Sequence, residues 1–306
     1  MLSQSEIRAN VTNKIVTALQ SGSVPFWRQT WAKSENSGHP TNAVSGKQYR
    51  GANWLLLSLA GHSSKWWATY NQWQSLGGQV RRGERGTTAI LYKPVTKKTI
   101  NDDGEEQVSS FPLLRSFTVF HISQVEGELH QFRDNKKTEA GETFVDFGPA
   151  EEVFSATGAD VRFAGDRAFY SPGGDFIQLP PRESFSKAHE FYGVLAHEHV
   201  HWTGHESRLN RLSRFARFGN EAYALEELVA ELGAAYLSNE LGVPHSDDLS
   251  NVTAYLSHWL NVLQRDHSAI FTVASAASAA VDHILAYSRP QEEVESKEEA
   301  EAVAVA

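Results

Sequence analysis

The sequence predicts an α+β protein built in two parts, and three observations carry that expectation. Segments with apolar residues at helical spacing alternate with short apolar runs bounded by glycine and proline. A polar stretch without a long apolar run, residues 126–147, separates two halves of ordinary domain size. The charge is divided between those halves: residues 1–101 hold 13 Lys/Arg against three Asp/Glu, although the whole chain carries a net charge of −9. The expected layout is a first domain over 1–125, a linker over 126–147, a second domain over 148–288 and an acidic, disordered tail over 289–306. A chain of 306 residues fits two domains at roughly 150 residues each.

Each element follows from local pattern. Ile7, Val11, Ile15, Ala18 and Leu19 mark a helix over 6–21, with Gly22 as its cap. Residues 23–52 are loop-rich. Short helices are expected over 53–61 and 69–76, the second capped by Thr69. Ala89–Tyr92 and Leu113–Ile122 read as strands, and 101–106 (NDDGEE) as a turn or hairpin tip. The second half opens with a helix near 149–158. Strands follow at 160–163, 168–170 and 175–180, then helices near 186–203, 221–241, 248–265 and 268–287.

Composition narrows the function. The chain has no cysteine, which excludes disulfides, thiolate metal sites and cysteine nucleophiles. The N-terminus lacks an apolar signal region, and no stretch reaches the ~18 apolar residues of a membrane span. A cytoplasmic protein without a membrane partner is expected. Six of the eight tryptophans (27, 31, 54, 66, 67 and 73) lie in the basic segment. A basic, tryptophan-rich front points to an anionic, stackable partner.

The chemistry concentrates in SKAHEFYGVLAHEHVHWTGH, which contains His197-Glu198-His199-Val200-His201. On a helix, residues four apart share a face, so His197 and His201 can reach one cation while Glu198 takes a proton from metal-bound water. Phe191, Val194, Leu195 and Val200 supply an apolar stripe behind them. A third ligand is needed. One zinc class takes it from a histidine six residues after the motif, but Ser207 stands there and His205 is out of register. The other class takes a glutamate from a following helix, and ALEELVAELGAAYL offers Glu226, Glu227 and Glu231. Glu227 and Glu231 lie four apart, so one can bind the metal and the other support a ligand histidine. Glu226 reads as an ordinary solvated residue. His/Glu donors accept zinc, manganese or another divalent ion. DFIQLPPRESF reads either as a core strand or as an edge strand that aligns an extended peptide beside the metal.

At this point the likeness extends beyond one motif. HEHVHWTGHESRLNR, YALEELVAELGAAYL and FYSPGGDFIQLPPRESF resemble the C-terminal domain of ArdC-type antirestriction proteins. VPFWRQTW, PTNAVSGKQYRGANWLLL and WATYNQWQSLGGQVRRGERGT resemble their N-terminal domain, and also the N-terminal region of TraC-type conjugative primases. The resemblance covers residues ~5–287. It implies a single-stranded-DNA-binding α+β domain joined to a mainly helical metallopeptidase-like domain of thermolysin/SprT type with a small sheet. It further implies a plasmid-borne role in protecting incoming conjugative DNA from host restriction. By motif, His197, His201 and Glu227 become ligands, Glu198 the base and Glu231 the supporting acid. His199 stands where apolar residues are common and should point away from the metal.

On the DNA side, single-strand binders combine a positive groove with aromatic faces. Lys47, Tyr49, Arg50, Asn53 and Trp54 cluster, followed by Trp66, Trp67, Tyr70 and Trp73, then Arg81, Arg82 and Arg85. About half of these tryptophans should stack on bases and half pack inside. The glycine-containing loop PTNAVSGKQYRG should bring backbone amides to phosphates. Two other functions fit the residues: a DNA-stimulated metalloprotease with a host protein substrate bound to DNA, and a DNA-binding protein whose metal only braces the fold.

Overall fold

The structure, a computed structural model, describes residues 3–21, 36, 38–62, 64–100, 106–133, 147–211, 221–245 and 250–289. The fold is α+β, with helices around small sheets. Gly22, Trp27, Trp31, the hairpin tip at 101–105, linker residues 134–146 and the tail beyond 289 lie outside the described residues.

Helix α1 (Gln4–Gln20) starts at a capping box formed by Ser3 and Glu6 and buries Ile7, Val11, Ile15, Val16 and Leu19. Strand β1 (Thr41–Asn42) and helix α2 (Ala52–Leu59) follow, then β2 (Trp66–Ala68) and α3 (Tyr70–Ser75). Thr69 caps α3 through a second capping box, with Gln72. Next come β3 (Gln79–Val80), β4 (Thr87–Ile100), β5 (Glu106–His121) and β6 (Val125–Glu126). The main sheet has the order β1-β2-β5-β4, with β4 and β5 paired antiparallel from Thr87↔Val119 to Ile100↔Glu106. Leu129 and Phe132, within the expected linker, pack into a satellite core with Trp73, Val80 and Val125.

The second half runs α4 (Gly148–Ala156), β7 (Asp160–Phe163), β8 (Phe169–Ser171), β9 (Phe176–Leu179), α5 (Ala188–Thr203), α6 (Ala222–Leu241), α7 (Ser250–Arg265) and α8 (Ala269–Leu285). Its sheet has the order β7-β9-β8. That order decides between the two readings of DFIQLPPRESF. Strand β9 is central and has Ile177 and Leu179 fully buried, so it is a core strand, and the edge positions belong to β7 and β8.

The largest core draws on both halves of the chain. Val11, Trp54 and Leu55 join Leu228, Leu232, Ile270 and Ile284 in one cluster. Within it α5 and α6 lie very close. A Cβ built on Gly233 of α6 would stand 2.7 Å from a Val200 methyl on α5, so glycine is needed there. A helix-interior glycine costs about 1 kcal/mol against alanine. The cost is borne where the two site-bearing helices must touch. Gly242, at φ 73°, then closes α6 in the left-handed conformation typical of a helix C-terminus.

Candidate metal centre and basic surface

Helix α5 places His197 and His201 one turn apart, and α6 brings Glu227 across the interface. His197 Nε2 and His201 Nε2 are 3.2 Å apart. Glu227 lies 3.5 Å from His197 Nε2 and 3.6 Å from His201 Nε2. Donors held 2.0–2.1 Å from a tetrahedral ion stand about 3.3 Å from one another. The three side chains therefore fit a divalent cation. The electrostatics agree. Burial pushes His197 toward the neutral form, yet its hydrogen bond to Glu227 and the charges of Glu198, Glu231 and Glu227 hold its pKa above the ordinary value. Burial likewise opposes ionisation of Glu227, but His197, His201 and Tyr223 hold its pKa below the usual range. These carboxylates are arranged around a positive charge.

The outer support comes from a residue the sequence reading set aside. Glu226 is 5% exposed, not solvated. Its Oε1 lies 3.2 Å from His201 Nδ1, which leaves Nε2 of that ring for the metal side. Arg211 grips the same carboxylate with two hydrogen bonds, at 2.9 and 2.7 Å, and also donates to Thr203 Oγ1 and the Val200 carbonyl. The missed signal was the apolar surround of α6. A helix that is apolar on nearly every face is buried, so its acids need partners. Glu231 is buried as well, and its charge acts on His197. His199 points away from the donors, with Nδ1 2.8 Å from the Leu195 carbonyl and its ring against Phe154.

A cavity of about 640 Å³ opens beside the donors and is lined by Glu198, Arg167, Phe169, Tyr170, Tyr223 and Tyr255 among others. Glu198 thus meets the donors at an accessible face. Tyr223 has an exposed ring, but its hydroxyl bonds Glu227 and accepts from Tyr255 Oη at 3.3 Å. Tyr170 donates to Asp175 at 2.8 Å, and Arg208 binds both residues while lying 4.0 Å over the Trp202 ring. Arg208 holds the Asp175 carboxyl down at about 2. Arg208, Arg211, Tyr170 and Tyr223 were not singled out in the sequence, because single residues in loops, at helix ends or in a three-residue strand carry no periodic signal.

The basic surface is smaller than the sequence suggested. Trp54 and Trp73 are 0% exposed and Trp67 1%, so all three pack inside and none can stack on a base. Asn53 is committed to β4 through two hydrogen bonds with the Ile90 backbone. Arg50 is exposed but paired with Asp282. The amides of Val44 and Ser45 bond the Asn42 side chain, and that of Gly46 bonds the Asn42 carbonyl, which corrects the expectation that they are free for phosphate. The surface set is Lys47, Tyr70, Arg82 and Arg85, joined by Arg81, which is exposed but paired with Glu84, and with Tyr49 and Trp66 half-buried. Hydrogen bonds join its elements: Asn42 to Gln72 at 3.1 Å, and Gln79 to the Tyr70 hydroxyl at 2.9 Å.

Comparison with known proteins fits both halves. The zincin-like metallopeptidase family model matches residues 148–276, and the model of the N-terminal domain of anti-restriction factor ArdC matches residues 5–120. A DNA primase TraC of Escherichia coli is 34% identical over 306 residues, which is 95% of this chain and 28% of that protein. This chain therefore spans little more than a quarter of the length of that relative. The metal-free crystal structure of antirestriction ArdC protein from R388 plasmid is 36% identical with a TM-score of 0.77, covering 92% of this chain and 97% of that one. The Mn(II)-bound structure of the same protein is 35% identical with a TM-score of 0.72, over 93% and 99% of the two chains. Likeness of that degree, continuous through both halves and over nearly the full length of a solved antirestriction protein, makes this chain a member of the ArdC antirestriction family, with a zincin-like second half.

Proposed function

We propose that this chain binds single-stranded DNA on its basic front and protects incoming conjugative DNA from host restriction, using a hydrolytic metal centre against a protein on that DNA. The observation that carries the second half is the convergence of His197, His201 and Glu227 at 3.2–3.6 Å beside an open cavity. His197, His201 and Glu227 would hold the cation, zinc or the manganese found in the R388 relative. A divalent ion held there supplies Lewis-acid polarisation of a carbonyl and a water of lowered pKa. Glu198 takes the proton from the attacking water and returns it to the leaving amine. Glu226 and Arg211 hold the His201 ring in one orientation. An open cavity favours this reading over a bracing metal, because structural sites close their coordination with protein ligands.

The DNA half is supported by exposed Lys47, Arg81, Arg82 and Arg85 around the exposed Tyr70. Binding should favour single strands and fall by about 0.7 log units per phosphate contact for each log of salt. Protection of conjugatively transferred DNA, compared between wild type and Glu198→Ala at equal expression, tests the whole. Loss of protection with metal retained is expected. Full protection by Glu198→Ala would transfer the function to the DNA-binding surface and leave the metal a scaffold.

A further inference from the structure

Among the described residues, the cavity at the metal centre is lined by one arginine that forms no ion pair. Arg167 lines it with His197, Glu198 and His201, and is exposed. The other arginines near the site are committed, Arg208 to Asp175 and Arg211 to Glu226. Arg167 has no ion pair among the described residues. Of the three glutamates in the cavity wall, Glu226 answers Arg211, Glu227 faces the two histidines, and Glu198 makes no ion pair with Arg167, so Arg167 is not neutralised from inside.

Its place on the fold gives that charge a direction. Arg167 stands two residues before β8, one of the two edge strands of the sheet β7-β9-β8, and the second edge of β8 has no ladder partner among the described residues. Phe169 and Tyr170 of β8 line the same cavity. A free strand edge accepts an extended peptide backbone as an added strand, with alternate side chains falling into neighbouring pockets. A phosphodiester chain has no such pattern of donors and acceptors. A guanidinium with free donors takes a carboxylate in two parallel hydrogen bonds. We propose that the site takes an extended peptide laid along the free edge of β8, with an acidic side chain of that peptide held by Arg167. The inference rests on the hydrolytic reading of the site and names its substrate class: protein segments bearing Asp or Glu at one fixed position.

The test uses the full chain carrying Glu198→Gln, loaded with zinc, to capture a pool of randomised nine-residue peptides without turnover. Enrichment of Asp or Glu at one position is expected. Adding Arg167→Glu should lower that enrichment by about tenfold or more and replace it with Lys or Arg, whereas Arg167→Lys should keep much of it. Zinc content, measured alongside, should be equal in all variants. Peptides captured without an acidic preference, or with one that Arg167→Glu leaves unchanged, would overturn the proposal and leave the hydrolytic reading standing. Capture of no peptide by any variant would remove the hydrolytic reading and this inference together. An Arg167→Glu variant that weakens single-stranded DNA binding while peptide selection is unchanged would assign Arg167 to the nucleic acid instead.

Discussion

The metal helices and the basic front use polar residues in opposite ways. On α5 and α6, His197, Glu198, Glu226, Glu227 and Glu231 are all less than 10% exposed, and Arg211 is 4% exposed. On the front, Lys47, Arg81, Arg82 and Arg85 stand in solvent, and the large aromatics between them are mostly inside. In the first region each polar group has few partners and cannot lose one without exposing the next to a low-dielectric surround. In the second, each charge is screened and replaceable, and only their sum attracts a polyanion. Single substitutions should therefore act strongly and independently of salt at the metal helices, and weakly, additively and with salt dependence on the front.

The sharpest break of that contrast is at Arg211. Arg211→Met leaves the Glu226 carboxylate buried without its cation and should destabilise the protein by about 3–5 kcal/mol in urea titration. Glu226→Gln keeps the volume and a hydrogen bond to His201, so it should cost less stability but weaken divalent-metal binding by about 10–100-fold, read by competition with a chromogenic chelator. Metal affinity unchanged in Glu226→Gln would mean that the carboxylate serves the fold alone.

The front should split into two behaviours that its sequence does not separate. Trp54→Ala opens a cavity in the shared core and should cost about 3–5 kcal/mol of stability. Tyr70→Ala should change stability by no more than about 0.5 kcal/mol, yet weaken single-stranded DNA binding by about 1–3 kcal/mol through lost stacking. Fluorescence titration of an oligonucleotide, alongside urea unfolding of both variants, reads the two effects. Equal DNA affinity in Tyr70→Ala and wild type would remove Tyr70 from the binding surface.

What the sequence revealed follows the same division. The His197/His201 pair was legible because four-residue spacing is a geometric statement about a helix, and α5 runs where the apolar stripe places it. Glu227 was legible as an acid on the next helix. Glu226 was not, because its partner Arg211 lies in the segment between α5 and α6, fifteen residues away, and the pairing depends on how those helices meet at Gly233. Most helices and the long strands were visible from periodicity. The two- and three-residue strands β1, β2 and β3 were not, since such runs show no period and their pairing is non-local. The tryptophans were the least legible. Trp66 and Trp67 are adjacent in sequence, yet strand alternation leaves Trp66 half-buried, with its indole nitrogen bonded to Asn36, and seals Trp67 in the core.

The smallest effect concerns histidines, and it sharpens the comparison in a different way. His197 sits among carboxylates that favour its proton. His121, on the front, is 2% exposed, and no carboxylate among the described residues favours its proton. Burial pushes its pKa down to about 3, helped by repulsion from His62, whose ring stacks on it at 4.2 Å, and only partly offset by its hydrogen bond to the Ser64 carbonyl. Its folded pKa is thus below the unfolded value of about 6.5, so between these values the unfolded chain binds the extra proton. The stabilising contribution is complete above about pH 6.5 and is lost as the pH falls toward 3. Unfolding free energy should rise between pH 4.5 and 6 by about 1 kcal/mol per pH unit from this residue. His121→Asn should reduce that slope while leaving the metal affinity at pH 7 unchanged. A pH slope identical in the two proteins would mean that His121 is charged in the fold, and that the stacked pair with His62 is held by something other than neutrality.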